Sequence, residues 1–173
     1  REAMTRLRAL GLVTIRRGIG TYVADRDSLA QCVRLARSAM AISSDELIRF
    51  VELREAIESH AARQAVRLAD DNDLADLESL CHRMESLAPD EEAMCLDLQF
   101  HLRLVEVTGN RLMLSILEML QEFTMEGMLR TTPRPRQRPV SKQYHMAIID
   151  AIRSRDPDGA EAAVRAHMDL LVR

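Results

Sequence analysis

Aromatic residues are scarce in this sequence: they make up 3% of its 173 residues, and tryptophan is absent. All-β folds draw heavily on aromatic and β-branched side chains, so this scarcity disfavours them. Glycine and proline are also few, at six and five residues, which leaves little material for tight turns. No apolar run reaches the length of about 18 residues that a membrane span needs, and we expect no signal peptide because the first residues lack its pattern. Leu, Ala, Ile, Val and ten methionines are left to build the core, so we expect a mostly α-helical cytoplasmic protein.

Cysteine is too rare, and wrongly spaced, for a disulfide framework or a cysteine-based metal site. The three cysteines are Cys32, Cys81 and Cys95, an odd number without C-x-x-C spacing. We therefore expect reduced thiols that serve mainly in packing, as is usual in the cytoplasm.

Charge is unevenly distributed along the chain. Residues 1–24 hold five arginines against one acid, a balance of +4, whereas the remaining 149 residues hold 19 bases and 26 acids, a balance of −7. A basic terminus can simply be solvated, or it can be the footprint of an element that binds nucleic acid phosphates.

The basic segment has the pattern of a helix followed by a β-hairpin. Apolar residues recur at helical spacing over residues 1–10. Two strand-like pieces, 12–16 and 21–24, flank a glycine-containing tip that permits a tight turn. Because the helix begins at residue 1 without an N-cap, we expect further residues to precede it.

From about residue 27 onwards the pattern is helical, and short connections favour an antiparallel bundle. The only long irregular connection is the proline- and arginine-rich stretch from Thr131 to Pro139, which we interpret as a solvated link. The predicted helices are 27–41, 44–69, 73–87, 90–108, 110–130, 138–155 and 157–172.

Four side chains have the spacing of a metal site. Asp97 and His101 lie four residues apart, on one face of a helix. His145 and His167 stand about ten residues before and after a short loop, so two antiparallel helices would bring them to the same height. Three histidines and one carboxylate suit Zn²⁺ or Ni²⁺, with Mn²⁺ or Fe²⁺ as further candidates. The alternative is a set of hydrogen-bonded core histidines; His60 and His82, on polar stretches, are interpreted as surface residues.

Arg54 is the second candidate binding residue. The helical repeat places it near the apolar positions Ile57 and Ala61, and a partly buried arginine requires an anionic partner. That partner is either a bound anion or Glu58, four residues further along the same helix.

Residues 1–24, REAMTRLRALGLVTIRRGIGTYVA, resemble the second half of the winged helix-turn-helix of the GntR superfamily of bacterial transcription regulators. The resemblance implies that Arg1, Thr5 and Arg6 belong to a recognition helix in the DNA major groove. It also implies that a wing tip contacts DNA through Arg17, Gly18 and Gly20. The start of the winged helix has no counterpart in this chain.

Residues 45–172 resemble the effector-binding FCD domain of the FadR branch of that superfamily. Four motifs carry the resemblance: L-R-x-x-I-E at 53–58, D-x-x-F-H at 97–101, G-N at 109–110 and H-x-x-I-x-x-A-I at 145–152, with a late histidine at 167. It implies that Asp97, His101, His145 and His167 bind a divalent metal inside the bundle. It further implies that Arg54 holds a small carboxylate beside that metal, and that Asn110 lies at the effector site, mainly as a helix cap.

The resemblance predicts a partial winged helix at 1–25, a linker helix at 26–43 and an effector domain at 44–173. We predict a homodimeric DNA-binding transcription regulator, with repression favoured, whose affinity for operator DNA is controlled by a small organic acid at the metal. A metal sensor or a structural metal site is the alternative. A metal-dependent hydrolase is a remote one, because no acidic residue apart from the ligand stands out as a base; we therefore predict that the chain is not an enzyme.

Overall fold

The computed structural model describes residues 2–9, 12–16, 18–23, 44–86, 91–131 and 141–172. The described residues form seven helices and two strands, which confirms the mostly α-helical prediction. The chain divides into two compact units, Arg1–Ala41 and Ile42–Arg173. The predicted linker helix at 27–41 and all but the first residue of the predicted irregular connection lie outside the described residues, and the proposed domain boundaries stay a prediction.

The described part of the first unit contains one helix and a two-stranded hairpin. Helix α1 is Glu2–Ala9, and strands β1, Val13–Arg16, and β2, Gly20–Val23, pair antiparallel in a register that sets Val13 opposite Val23. Gly18 and Gly20 in the turn have φ values of +78° and +146°, which side chains with a Cβ rarely adopt. The predicted helix–strand–turn–strand order is confirmed.

The second unit is a bundle of helices whose predicted positions are confirmed to within three residues at each end. In chain order the helices are α2, Ser44–Leu68; α3, Asp71–Glu85; α4, Glu91–Glu106; α5, Arg111–Thr131; α6, Ser141–Arg153; and α7, Pro157–Val172.

Side chains at the turns determine where several of these helices begin. The Asp70 carboxylate accepts a hydrogen bond from the Asp73 amide at 2.9 Å, and the Asp73 carboxylate accepts one from the Asp70 amide at 3.0 Å. This reciprocal capping box satisfies two backbone donors at the start of α3. The Asp156 carboxylate accepts from the Gly159 amide at 2.9 Å in the same way at the start of α7.

The turn between α6 and α7 is anchored to the end of α2. Arg155 has a φ of +58°, and its guanidinium donates to the backbone carbonyls of Val66 and Ala69. Val66 lies in the last turn of α2 and Ala69 directly follows the helix, where carbonyls lack the amide donors that a further helical turn would supply. The contact fixes the turn against α2, while α6 and α7 pack antiparallel across it.

Helix α2 is the centre of the bundle and packs against α4, α5, α6 and α7. Its inner face includes the fully buried alanines Ala61, Ala62 and Ala65, whose small side chains allow neighbouring helices to approach closely. Larger buried side chains, among them Leu77 and Phe100, fill the rest of the core. Among the described residues, no helix is both long and apolar enough to cross a membrane.

Candidate metal centre

Three helices bring four potential metal ligands to one point in the core. Helix α4 supplies Asp97 and His101, α6 supplies His145, and α7 supplies His167. Each residue offers one ligand atom, and the four atoms lie within 4.8 Å of one another. The three histidines are at most 2% exposed, and Asp97 is 8% exposed. The structure thus brings together all four residues that the sequence singled out.

The three histidines face one another through the same ring nitrogen. His101 Nε2 lies 3.0 Å from His167 Nε2 and 3.4 Å from His145 Nε2. The Asp97 carboxylate completes the group, with Oδ1 3.4 Å from His145 Nε2 and Oδ2 3.8 Å from His101 Nε2.

These separations fit the binding of one ion. Zinc–nitrogen bonds of about 2.1 Å place two nitrogens on the same ion about 3 Å apart, close to the observed histidine distances. An Asp/His₃ set is also the donor chemistry that a borderline divalent ion prefers. The arrangement can therefore hold a metal.

Burial keeps the histidines in the state that a metal requires. It lowers the pKa of His101 and of His167 to about 3, and it lowers the pKa of His145 well below its ordinary value. Neighbouring positive charge, including that of Arg54, lowers the pKa of His101 and His145 further. At neutral pH the imidazoles are uncharged, so each has a nitrogen lone pair available for a cation.

An apolar wall limits the freedom of the ligands. The ring of Phe100 is fully buried, and its centroid lies 4.3 Å from that of His145 and 5.5 Å from that of His101. The rings of His101 and His167 stack with 4.9 Å between centroids. Packed rings of this kind hold their nitrogens in place without a metal.

Arg54 is buried and has a protein partner, as one of the two interpretations of the sequence required. Its Nε donates to Glu58 Oε1 at 3.0 Å, and the two side chains are at most 2% exposed. The guanidinium is not fully used, because Arg54 NH2 is buried without a hydrogen-bond partner among the described residues. A buried donor in this state favours an additional acceptor, such as a bound anion.

Glu58 makes a second contact in this region, which was not predicted from the sequence. Its Oε2 lies 2.5 Å from His101 Nδ1, so the same carboxylate that pairs with Arg54 also touches a candidate ligand. Burial raises the pKa of the Glu58 carboxyl, and the Arg54 guanidinium opposes that rise. The sequence contains one signal for this contact: Glu58 is a charged residue on the same helical face as the apolar Ala61 and Ala65. That signal indicates burial, but the contact with α4 itself depends on tertiary packing.

The other predicted site residues lie away from this cluster or outside the described residues. Asn110 is exposed, and its side-chain oxygen accepts from the amides of Leu112 and Met113 at 3.1 and 3.2 Å, which makes it the N-cap of α5. Its role in effector binding stays a prediction. His60 and His82 are exposed, as predicted.

The predicted DNA-contacting residues belong to the first unit. Thr5 and Arg6 are exposed on α1, where Arg6 donates to Glu2 at 3.4 Å. Gly18 and Gly20 form the hairpin turn described above. Arg1 and Arg17 lie outside the described residues, and the DNA contacts of all six stay predictions.

Comparison with known proteins gives a consistent family assignment. Residues 49–170 match the FCD domain family. The chain is 30% identical to the HTH-type transcriptional repressor NanR of Cronobacter sakazakii, over 98% of this chain and 67% of that protein. It is also 30% identical to a putative L-lactate dehydrogenase operon regulatory protein of Escherichia coli, over 99% of this chain and 69% of that protein. The solved structure of Streptococcus agalactiae GntR superposes with a TM-score of 0.74 at 27% identity and covers 99% of this chain and 78% of that one.

Proposed function

Since this chain belongs to the FCD-domain members of the GntR family of transcriptional regulators, we propose that it is a repressor controlled by a small carboxylate. The family is one of regulators and not of enzymes, in agreement with the sequence-based prediction. The observation that carries the proposal is the buried Asp/His₃ cluster next to an arginine with an unsatisfied donor.

The proposed resident metal is Zn²⁺ or Ni²⁺, held by Asp97, His101, His145 and His167. When bound, the ion supplies positive charge and open coordination positions for an oxygen ligand. The chain's own residues keep the four donors in place and exclude bulk water through the apolar packing around Phe100.

The proposed effector is a small organic acid whose carboxylate reaches Arg54. Arg54 NH2 is the free donor, and the Glu58 carboxylate fixes the guanidinium through Nε. The Escherichia coli relative is named for an L-lactate dehydrogenase operon, and lactate carries a carboxylate of the kind that the free donor of Arg54 would bind.

The proposed output is a change in affinity for operator DNA. A homodimer would set two winged helices on a palindromic operator. An effector bound in the bundle would favour one arrangement of the two DNA-binding units over another. The change in operator affinity would be limited by how much more tightly the effector binds one arrangement than the other.

Substitution of Arg54 by lysine tests the effector site. Arg54→Lys keeps a positive charge beside Glu58 but removes the free guanidinium donor. We expect it to retain its metal and to bind L-lactate or a related acid at least about tenfold more weakly, as the loss of one charged hydrogen bond implies. Isothermal titration calorimetry gives the affinity for the metal and the affinity for the acid. Arg63→Lys on the same helix is the matched control and should leave both unchanged.

Operator binding separates the proposal from its alternative. In a full-length, DNA-competent protein, fluorescence anisotropy with operator DNA should show release on addition of the acid. Equal operator affinity with and without every acid that binds would contradict the proposal. Release that follows the metal alone would establish the metal sensor instead.

A further inference from the structure

We infer that Glu58 is a positioning residue, which holds His101 in the Nδ1–H tautomer through one carboxylate oxygen and the Arg54 guanidinium through the other. In this role Glu58 prepares the cation site and the anion site together. The inference deepens the proposed function, since it assumes that His101 Nε2 binds the metal and that Arg54 binds the carboxylate.

The geometry assigns one oxygen of Glu58 to each partner. Oε1 accepts from Arg54 Nε at 3.0 Å, and Oε2 lies 2.5 Å from His101 Nδ1. Neither Oε2 nor Nδ1 has an aligned hydrogen bond to any described residue, so the 2.5 Å approach of the two atoms is the polar contact on which the inference rests. Both atoms are buried, so each depends on the other to satisfy its hydrogen-bonding capacity.

This contact decides which nitrogen of His101 carries the proton. The tautomer of a histidine is set by the hydrogen bond that its other nitrogen makes. A proton on Nδ1, directed at Glu58, leaves the lone pair on Nε2, and Nε2 is the atom that faces His145, His167 and Asp97. A carboxylate behind a metal-binding histidine also fixes the orientation of the ring and raises its basicity.

Glu58 serves only one of the three histidines. The Nδ1 atoms of all three histidines are buried without an aligned hydrogen bond among the described residues, but only that of His101 has a carboxylate oxygen at ion-pair distance. His101 is also central to the cluster, because its Nε2 lies within 3.4 Å of both other histidine nitrogens. A single positioning contact at His101 therefore has the largest effect on the group.

Glutamine is a poor substitute for this residue. An ionised carboxylate accepts hydrogen bonds at both oxygens, whereas an amide accepts at one atom and donates at the other. In a Glu58→Gln variant, either Arg54 or His101 must therefore face a donor. Loss of such an outer contact typically lowers metal affinity about 10- to 100-fold.

Nitrogen-15 NMR on the metal-free protein tests the tautomer without any substitution at Glu58. The ring signals of His101 are assigned by their loss in a His101→Gln variant. We expect the Nδ1–H form in the wild-type protein. The Nε2–H form would overturn the inference, whether or not the protein later proves to bind a metal or an acid.

Metal affinity gives the second measurement. Competition with a chromophoric zinc chelator should show about 10- to 100-fold weaker binding for Glu58→Gln than for wild type. The matched control is Glu55→Gln on the same helix, which pairs with Arg165 at 3.5 Å and should bind zinc as the wild type does. Equal zinc affinity of Glu58→Gln and the wild type would overturn the inference while leaving the metal site intact. A wild type that binds no zinc would contradict the proposed function. In that case the tautomer of His101 measured by NMR would still decide the role of Glu58.

Discussion

At the scale of single residues, the candidate site depends on histidines that are buried and uncharged. Burial lowers the pKa of His101 and His167 to about 3 and depresses that of His145, so protons do not compete with a cation at neutral pH. The same burial has a cost, because an unfolded chain takes up protons on these histidines that the folded protein cannot bind.

The metal-free protein should therefore lose stability as the pH falls below about 6.5, the ordinary pKa of histidine. Between that pH and about 3 the unfolded state binds more protons, so the free energy of unfolding falls, by up to about 1.4 kcal/mol per pH unit for each histidine. Glu58, with its raised pKa, acts in the opposite direction, but it is one group against three. Urea denaturation in the presence of a chelator, at pH values from 7.5 to about 5, measures the slope.

Two variants identify the source of that slope. His145→Gln should reduce it, whereas His60→Gln, which changes an exposed histidine outside the cluster, should leave it unchanged. A free energy of unfolding that stays constant from pH 7 to 5 would contradict the assigned protonation state.

At the scale of helices, register and caps determine which side chains meet. One turn of α4 puts Asp97 and His101 on a common face, and the short turn between α6 and α7 brings the rings of His145 and His167 to 4.6 Å between centroids. Asn110 acts at this scale as well, because its side chain caps α5.

Two substitutions of Asn110 separate capping from ligand binding. Asn110→Ala should lower the free energy of unfolding by about 1 kcal/mol, whereas Asn110→Asp should lower it little, because aspartate is an equally good N-cap. Chemical denaturation gives these values, and titration with the acid gives effector affinity for the same proteins. Weaker acid binding by Asn110→Asp at unchanged stability would assign Asn110 to the effector site; unchanged binding would leave it a cap.

At the scale of the whole second unit, the cluster joins helices that are distant in sequence. Residues 97 and 101 on α4 meet residue 145 on α6 and residue 167 on α7, while α2 packs against all three helices. Because the unfolded chain does not hold these ligands together, metal binding should stabilise the folded bundle as a unit.

Zinc should accordingly raise the melting temperature of the metal-free protein. At about 100 times the dissociation constant the stabilisation is about 2.7 kcal/mol, which corresponds to roughly 5–10 °C for a chain of this size. Differential scanning calorimetry measures the shift. It should vanish in His167→Gln and persist in His82→Gln; an equal shift in both variants would place the stabilising metal elsewhere.

The sequence was most informative where function depends on spacing within a helix or across a short turn. Spacing placed Asp97 beside His101 and His145 beside His167, and the resemblance to the FCD domain implied that the two pairs form one site. The contact between Glu58 and His101 could not be predicted, because it depends on which face of α2 packs against α4. For Arg54, sequence left a bound anion and Glu58 as alternatives, and only the packed structure shows that pairing with Glu58 leaves one donor free.

Elemental analysis of the untagged protein tests the central claim, that the four residues hold a metal. We predict about one Zn or Ni per chain in the wild type and in the control His60→Ala, and almost none in His145→Ala. Wild-type protein that takes up neither metal, even after addition of Zn²⁺ or Ni²⁺, or a His145→Ala variant that retains its metal, would contradict the account.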